Sequence, residues 1–284
     1  MSYIRSDMAR RFINFIIARH EIWVRRYVED SSKPWTDDPI LQAYRFCNVY
    51  RELDTVTQWV AKHWRTPHHD DKDLWFAMAV ARWVNWPETL EQIGYPVPWN
   101  RTKFLSVLRR RKAKGDKVWT GAYMIGTQGN AMDKSLFIAD GVLRPLWNLR
   151  EKIRPRLGDT LASFAQRVID VKNQGKFMVG QIVADAKYAD PCLLDAPDWE
   201  TWAVSGPGSR RGLNRVCGID KDKGWNESVF LLTLSELREE VNRFLPNYMK
   251  PLHAQDLQNC LCEFDKYERV RLGQGRPRSL YPGR

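Results

Sequence analysis

With 45 Lys and Arg against 34 Asp and Glu, this 284-residue chain carries a formal charge of +11, which suits a polyanionic partner: nucleic acid, an anionic membrane or a phosphorylated substrate. Hydrophobic residues make up 43%, enough for a proper core, so wholesale disorder is excluded. The length lies near the roughly 250–300 residues at which one core stops growing, so a single domain over 1–284 and two packed lobes dividing near 115–160 are both expected. No apolar run approaches the roughly 18–20 residues that span a bilayer. Arg5, Asp7, Arg10 and Arg11 interrupt the N-terminus where a signal peptide would lie, so no membrane partner is expected.

Helical spacing dominates, beginning with residues 10–27. Within Pro34-Trp35-Thr36-Asp37-Asp38-Pro39, Asp38 can cap a helix whose first turn takes Pro39. From Ile40 to Val60, the residues Leu41, Tyr44, Val49, Leu53, Val56 and Val60 recur three to five apart, which predicts one amphipathic helix. On that helix Arg45 and Asn48 share a face, as do Arg51, Asp54 and Gln58. Arg and Asn suit phosphates and base edges, and an Arg51–Asp54 surface pair fits the pattern equally well. His68-His69-Asp70-Asp71 reads as a solvated cap rather than a metal site, because adjacent residues seldom converge on one ion.

Further helices are predicted over 72–84 and 101–114. The second closes in Arg109-Arg110-Arg111-Lys112-Ala113-Lys114, either a solvated helix end favoured by the macrodipole or a grip on DNA phosphates. Val118–Ile125 reads as a short, isolated extended segment. Helical patterns return over 161–173 and over 176–189, which holds Gln181. Thr233-Leu234-Ser235-Glu236 reads as a capping box opening a helix that ends before Pro246. A last helix covers 254–270, and the Gly-, Pro- and Arg-rich stretch 270–284, with Arg276 and Arg278, reads as an extended basic tail. The fold class is mainly α. Thirteen tryptophans fit core packing first, and stacking on extruded bases second.

Several chemistries are excluded by the motifs. There is no GxxxxGK[ST] P-loop, no GxGxxG and no HExxH. Five cysteines (Cys47, Cys192, Cys217, Cys260, Cys262) make no paired CxxC arrangement, so zinc is not expected and a reducing compartment is. Three constellations remain. In Gly206-Pro207-Gly208-Ser209-Arg210-Arg211, a tight turn can aim backbone N–H groups at a phosphate while two guanidinium groups add bidentate donors; a purely structural turn fits too. On the last helix, Asp256, Asn259, Glu263 and Lys266 fall three to four apart beside the buried stripe of Leu257, Cys260, Leu261 and Phe264. A carboxylate beside an amide and a lysine can orient an amine and accept its proton, whereas an ordinary surface helix with Glu–Lys pairs shows the same spacing. Arg45, Asn48 and Arg51 form the third.

The blocks Pro34–Leu41 running into Tyr44–Asp54, then Gly206–Asn214, then Leu261–Arg269 followed by Gly275-Arg276-Pro277-Arg278, closely resemble the signature of the α-glutamyl/putrescinyl thymine pyrophosphorylases. These are bacteriophage amino acid:DNA transferases, which share a helical domain with 5-hydroxymethyluracil DNA kinases. Thr120-Gly121-Ala122-Tyr123 is a fourth, weaker block. The resemblance implies a helical fold distantly similar to helix-hairpin-helix DNA glycosylases, acting in the cytoplasm of the bacterial host. It implies replacement of the pyrophosphate of 5-pyrophosphoryloxymethyl-deoxyuridine in double-stranded DNA by an amino acid such as glycine, or by a polyamine. Lacking a P-loop, the chain resembles the transferase rather than the kinase. The glycosylases carry an Asp about twenty residues after their hairpin; here Asp220 and Asp222 come earlier and Ser228 stands near that place, which speaks against glycosidic cleavage.

On this reading Glu263 or Asp256 takes the proton of the incoming ammonium, and Lys266 steadies the donor's carboxylate or the pyrophosphate. Arg45, Asn48, Arg51, Gly206, Gly208, Ser209, Arg210 and Arg211 surround the pyrophosphate, while Asn48, Gln181 and Asn259 read the base. Arg109, Arg110, Arg111, Lys112, Lys114, Arg276 and Arg278 hold the DNA backbone. No cofactor is required, with magnesium an option beside the pyrophosphate. A glycosylase-like base-releasing enzyme and a non-catalytic DNA-binding module are the alternatives.

Overall fold

A computed structural model describes residues 4–121, 123, 125–127, 129 and 131–277. In chain order its helices are α1 (Ser6–Tyr27), α2 (Pro39–Ala43), α3 (Thr55–Val60), α4 (Leu74–Val84), α5 (Pro87–Ile93), α6 (Arg101–Ala113), α7 (Lys134–Leu136), α8 (Arg144–Asn148), α9 (Arg150–Ile153), α10 (Leu161–Ile169), α11 (Lys176–Ala189), α12 (Pro191–Leu194), α13 (Pro207–Cys217), α14 (Glu227–Phe244) and α15 (Ala254–Arg271). Wider π-helical turns extend α3 over Ala61–Arg65 and join α7 to α8 over Phe137–Leu143. The fold is mainly helical, with no strand among the described residues. None of the described helices is long and apolar enough to cross a membrane.

The chain divides into two compact units. The first is formed by 1–54 and 199–284, and the second by 55–198. The expected boundary near 115–160 falls inside the second unit; the division lies instead at 54/55 and 198/199. In the first unit, Phe12, Phe15 and Ile16 of α1 join Leu213 and Val216 of α13, Phe230, Leu234 and Leu237 of α14, and Leu257, Leu261 and Phe264 of α15 in one core. Phe264 lies between the Phe12 and Phe15 rings, at 5.1 and 5.7 Å between centroids. In the second unit α4 is buried along its whole length, Trp75 and Trp83 included.

Helix α13 packs against α15 at close range. A Cβ placed on Gly212 would stand 2.1 Å from the Leu261 carbonyl oxygen, and one on Gly208 would stand 2.4 Å from Cys262 Sγ. These two glycines, four residues apart, give α13 a side-chain-free groove into which α15 settles.

Asp38 caps α2 as expected, its Oδ1 accepting from Ile40 N at 2.8 Å and Leu41 N at 3.0 Å. The single helix expected from Ile40 to Val60 does not form. Helix α2 stops at Ala43, Tyr44 is extended (φ −117°, ψ 147°), and regular structure returns only with a tight turn at Arg51–Leu53. The reason is tertiary: side chains of α15 supply the hydrogen bonds that helical neighbours would have made. The expected capping box at Thr233 is also overturned. Asn226 caps α14, accepting from Ser228 N at 2.9 Å, and Thr233 lies buried inside the helix with its hydroxyl donating to Val229 O. Val118–Ile125 forms no strand where it is described; the Val118 carbonyl accepts from the Thr89 hydroxyl, and Thr120 N donates to Val84 O. Helix α15 runs on to Arg271, so the tail begins later than expected; Arg276 is exposed, and Arg278 lies outside the described residues.

Candidate active site

In the first unit the polar face of α15 meets residues 45–51 as a row of hydrogen bonds. Glu263 Oε2 accepts from Cys47 N at 2.8 Å and pairs with Lys266 Nζ at 2.6 Å. Asp256 Oδ1 accepts from Arg51 N at 3.2 Å. Asn259 Nδ2 reaches Asn48 O at 3.5 Å, and Lys266 Nζ donates to Arg45 O at 3.3 Å while lying 4.9 Å from the centre of the Phe46 ring. Glu263 and Asp256 are both buried. Four residues legible as a helical face thus converge on residues 45–51, a non-helical stretch running into the turn at Arg51, with a carboxylate and an ammonium in contact on it.

The Glu263 carboxylate pushes the Cys47 thiol well above its usual range, and burial followed by the same carboxylate raises Cys262 to about 11. Neither thiol is an ionised nucleophile at neutral pH. The other carboxylates and the ammonium on this face belong to Glu263, Asp256 and Lys266.

The Asn48 amide holds the segment in place. Its Oδ1 accepts from Arg19 Nη2 at 2.7 Å and its Nδ2 donates to Leu53 O at 2.7 Å. In this arrangement Asn48 shapes the site rather than offering both ends to a base. Arg45 is exposed, and Arg51 opens the tight turn that follows.

Gly206-Pro207-Gly208 is the start of α13, with Gly206 as its cap and Pro207 in the first turn. It does not join two helices as a hairpin would, since 202–206 are not helical. Ser209 is fully buried, and its hydroxyl accepts from Gly206 N at 2.9 Å. Arg210 faces Glu227: Nη2 stands 3.0 Å from Glu227 Oε2, and Nε donates to Ser205 Oγ, which itself donates to Glu227 at 2.6 Å. Arg211 Nε donates to Asp265 Oδ2 at 2.9 Å. Both arginines therefore have carboxylate partners that the sequence motif did not show.

Burial alone would raise the Glu227 carboxyl, but hydrogen bonds from Ser205 and Arg210 outweigh it and lower its pKa from the ordinary 4.5. A depressed carboxylate stabilises the folded state fully above its unfolded pKa, and that contribution is lost as pH falls through the folded value. Acidification below about pH 4.5 should therefore loosen the start of α13. Hydrogen exchange of the Ser205 and Gly206 amides, compared between wild type and Glu227→Gln, measures this. The acid-dependent rise in exchange should vanish in the variant.

In the second unit Arg109, Arg110, Lys112 and Lys114 are exposed at the end of α6. Arg110 donates to Gln92 at 3.1 Å, and Lys112 lies 3.5 Å from Asp133. Arg111 is turned inward and donates to the carbonyls of Glu88 and Lys117, a structural tie rather than a phosphate grip. Gln181 is half-buried on α11. His68 stacks on Tyr95 with 3.6 Å between ring centres. Sequence reasoning missed a buried network in this unit. Arg82 of α4 contacts both oxygens of Asp185 on α11 and also reaches Asn85 and Thr57. The weakest of the resembling blocks closes over it: Thr120 Oγ1 accepts from Asn85, and the Tyr123 hydroxyl donates to Arg82 O.

Residues 6–276 match the family described as "5-hmdU DNA kinase, helical domain". A curated relative, the "5-hmdU DNA kinase" of Bacillus phage SP10, is 27% identical over 285 aligned positions covering 90% of this chain. The match covers 44% of that relative, so the chain spans less than half of its length. No solved structure matches the chain.

Proposed function

Because the chain belongs to the family of the 5-hmdU DNA kinase helical domain, we propose that it acts in the hypermodification of thymine in phage DNA. We propose specifically that it is the amine transferase of such a system. The 284 residues hold no P-loop, so nucleotide-driven phosphorylation has no evident seat within them. The observation that carries the reading is the convergence of Asp256, Asn259, Glu263 and Lys266 on residues 45–51, which sets a general base beside a cation.

In the proposed reaction the target nucleotide is extruded from the duplex. An alkylammonium is a poor nucleophile until it loses a proton, and Glu263 accepts that proton. The neutral nitrogen attacks the methylene carbon on C5, the C–O bond to pyrophosphate breaks, and the leaving group departs with the bonding pair. The substituted nitrogen then sheds its surplus proton to water. Lys266, 2.6 Å from Glu263, orients the carboxylate of an amino acid donor. Exposed Arg109, Arg110, Lys112 and Lys114 supply non-specific contacts to the DNA backbone.

The test is incubation of the protein with DNA carrying 5-pyrophosphoryloxymethyl-deoxyuridine and an amine, with nucleosides analysed by mass spectrometry. An amine adduct with free pyrophosphate is the expected product, and abasic sites would establish base release instead. Glu263→Gln should lower the transfer rate by about 100-fold or more at neutral pH. Full activity in that variant would remove Glu263 from the role of base.

A further inference from the structure

Five arginines gather on two adjacent buried carboxylates of α15. Asp265 is 1% exposed and receives Arg211 Nε and Arg215 Nε at 2.9 Å each, with Arg269 Nε at 3.4 Å. Glu268, also 1% exposed, takes Arg271 through two nitrogens at 2.7 and 2.8 Å and has Arg11 Nη1 at 3.8 Å. Asp222, ion-paired with Lys221, stands within the electrostatic reach of Arg211 and Arg215. The two carboxylates leave a surplus of three positive charges.

A purely structural role does not account for that surplus. A buried carboxylate needs a partner, but each further guanidinium adds like-charge repulsion that folding must overcome. Each arginine here presents mainly its Nε edge, or one side of its fork, to the carboxylate, and a guanidinium carries five N–H donors. Arg11, Arg211, Arg269 and Arg271 remain between 32% and 45% exposed, so part of each side chain faces solvent, while Arg269 Nε is buried without a hydrogen-bond partner among the described residues. Only Arg215 is enclosed, its Nη2 donating to Gln274 Oε1 at 2.8 Å.

We infer that this arginine cluster is a binding site for a compact polyphosphate anion; on the transfer reading above, it receives the departing pyrophosphate. Three head groups meet on one carboxylate and two on its neighbour, which concentrates charge at one place. Bidentate guanidinium donors match phosphate oxygens. A DNA backbone offers single charges strung along a strand and would be served as well by dispersed cations. The site lies on the α13–α15 edge, and its residues Asp265 and Arg269 flank Lys266 on the same helix.

Calorimetric titration of the intact protein with inorganic pyrophosphate, inorganic phosphate and unmodified duplex DNA tests this at fixed ionic strength. Pyrophosphate should bind saturably and at least about tenfold tighter than phosphate, and Arg269→Gln/Arg271→Gln should weaken it about tenfold or more. Arg269→Lys/Arg271→Lys keeps the charge and should still lose part of that affinity, because an ammonium cannot reproduce the fork. Circular dichroism melting establishes that both variants fold. Absence of saturable pyrophosphate binding, or binding unchanged in the Gln variant, overturns the inference. So does a variant that weakens duplex binding alone, which would assign the cluster to the backbone. The titration needs neither amine nor modified DNA, so failure of the transfer assay leaves its result standing, and failure here leaves the transfer reading open.

Discussion

Replacing Asp185 by alanine should destabilise the second unit by about 3–5 kcal/mol, the range for removing one partner of a buried ion pair. Arg82 is 3% exposed on a helix with no solvent-facing side, so its guanidinium cannot swing to water. With Asp185 gone, Nη1 on Asn85 at 2.8 Å and Nη2 on Thr57 at 2.7 Å remain, but neither partner carries charge. The cost is that of an uncompensated buried cation rather than of one lost hydrogen bond. Replacing both residues by apolar ones of similar size, Arg82→Met/Asp185→Leu, should recover most of it. Urea denaturation followed by tryptophan fluorescence reads the difference through the midpoint. Equal losses in the single and double variants would show that the helix pairing, and not the stranded charge, sets the cost.

The second large effect belongs to Gly212. An alanine there places its Cβ 2.1 Å from a backbone oxygen of α15, with the carbonyl carbon at 2.7 Å. Backbone cannot rotate aside, so the helices must part, and a loss of about 3 kcal/mol or more is expected, at the upper end of overpacking costs. Gly208→Ala is the internal control. Its new methyl meets Cys262 Sγ at 2.4 Å, a side-chain atom, and the next atom lies at 3.4 Å. The loss there should be about 1 kcal/mol and should be relieved by Cys262→Ala. Thermal unfolding gives the ranking, and Gly208 proving as costly as Gly212 would contradict the groove geometry. On the proposed reading, transfer should fall with Gly212→Ala as well, because the same displacement moves Glu263 from Cys47 N.

Much of the helical inventory was readable from periodicity. The Asp38–Pro39 start, the long α1, α6, α11 and α15, and the polar quartet of α15 all follow from spacing that a helix dictates locally. The extended run at 44–50 was not readable. Its apolar residues keep a helical interval, but the choice was made by carboxylates more than 200 positions away that take the N–H groups of Cys47 within it and of Arg51 at its end. The same limit hid the partners of the arginine motif. Sequence showed two adjacent cations, while Glu227 and Asp265 are 17 and 54 positions off. It made Arg111 look like a surface cation, though its fork closes on carbonyls 23 and 6 positions away. Arg82 and Asp185 carried no motif at all, because a buried pair 103 positions apart leaves no local pattern.

The first unit is assembled from both parts of the chain, with 55–198 between them. During synthesis the intervening unit is complete while α1 and residues 45–51 still lack α13, α14 and α15. Those early segments expose Phe12, Phe15 and Ile16 until the last helix emerges, a long wait for an apolar surface and an opening for chaperones. Prior collapse of the intervening unit lowers the entropy of closing so long a loop. A ribosome that stops before Ala254 releases a chain with neither Glu263 nor the arginines of α15, so a product truncated there lacks every α15 residue on which the proposed transfer rests.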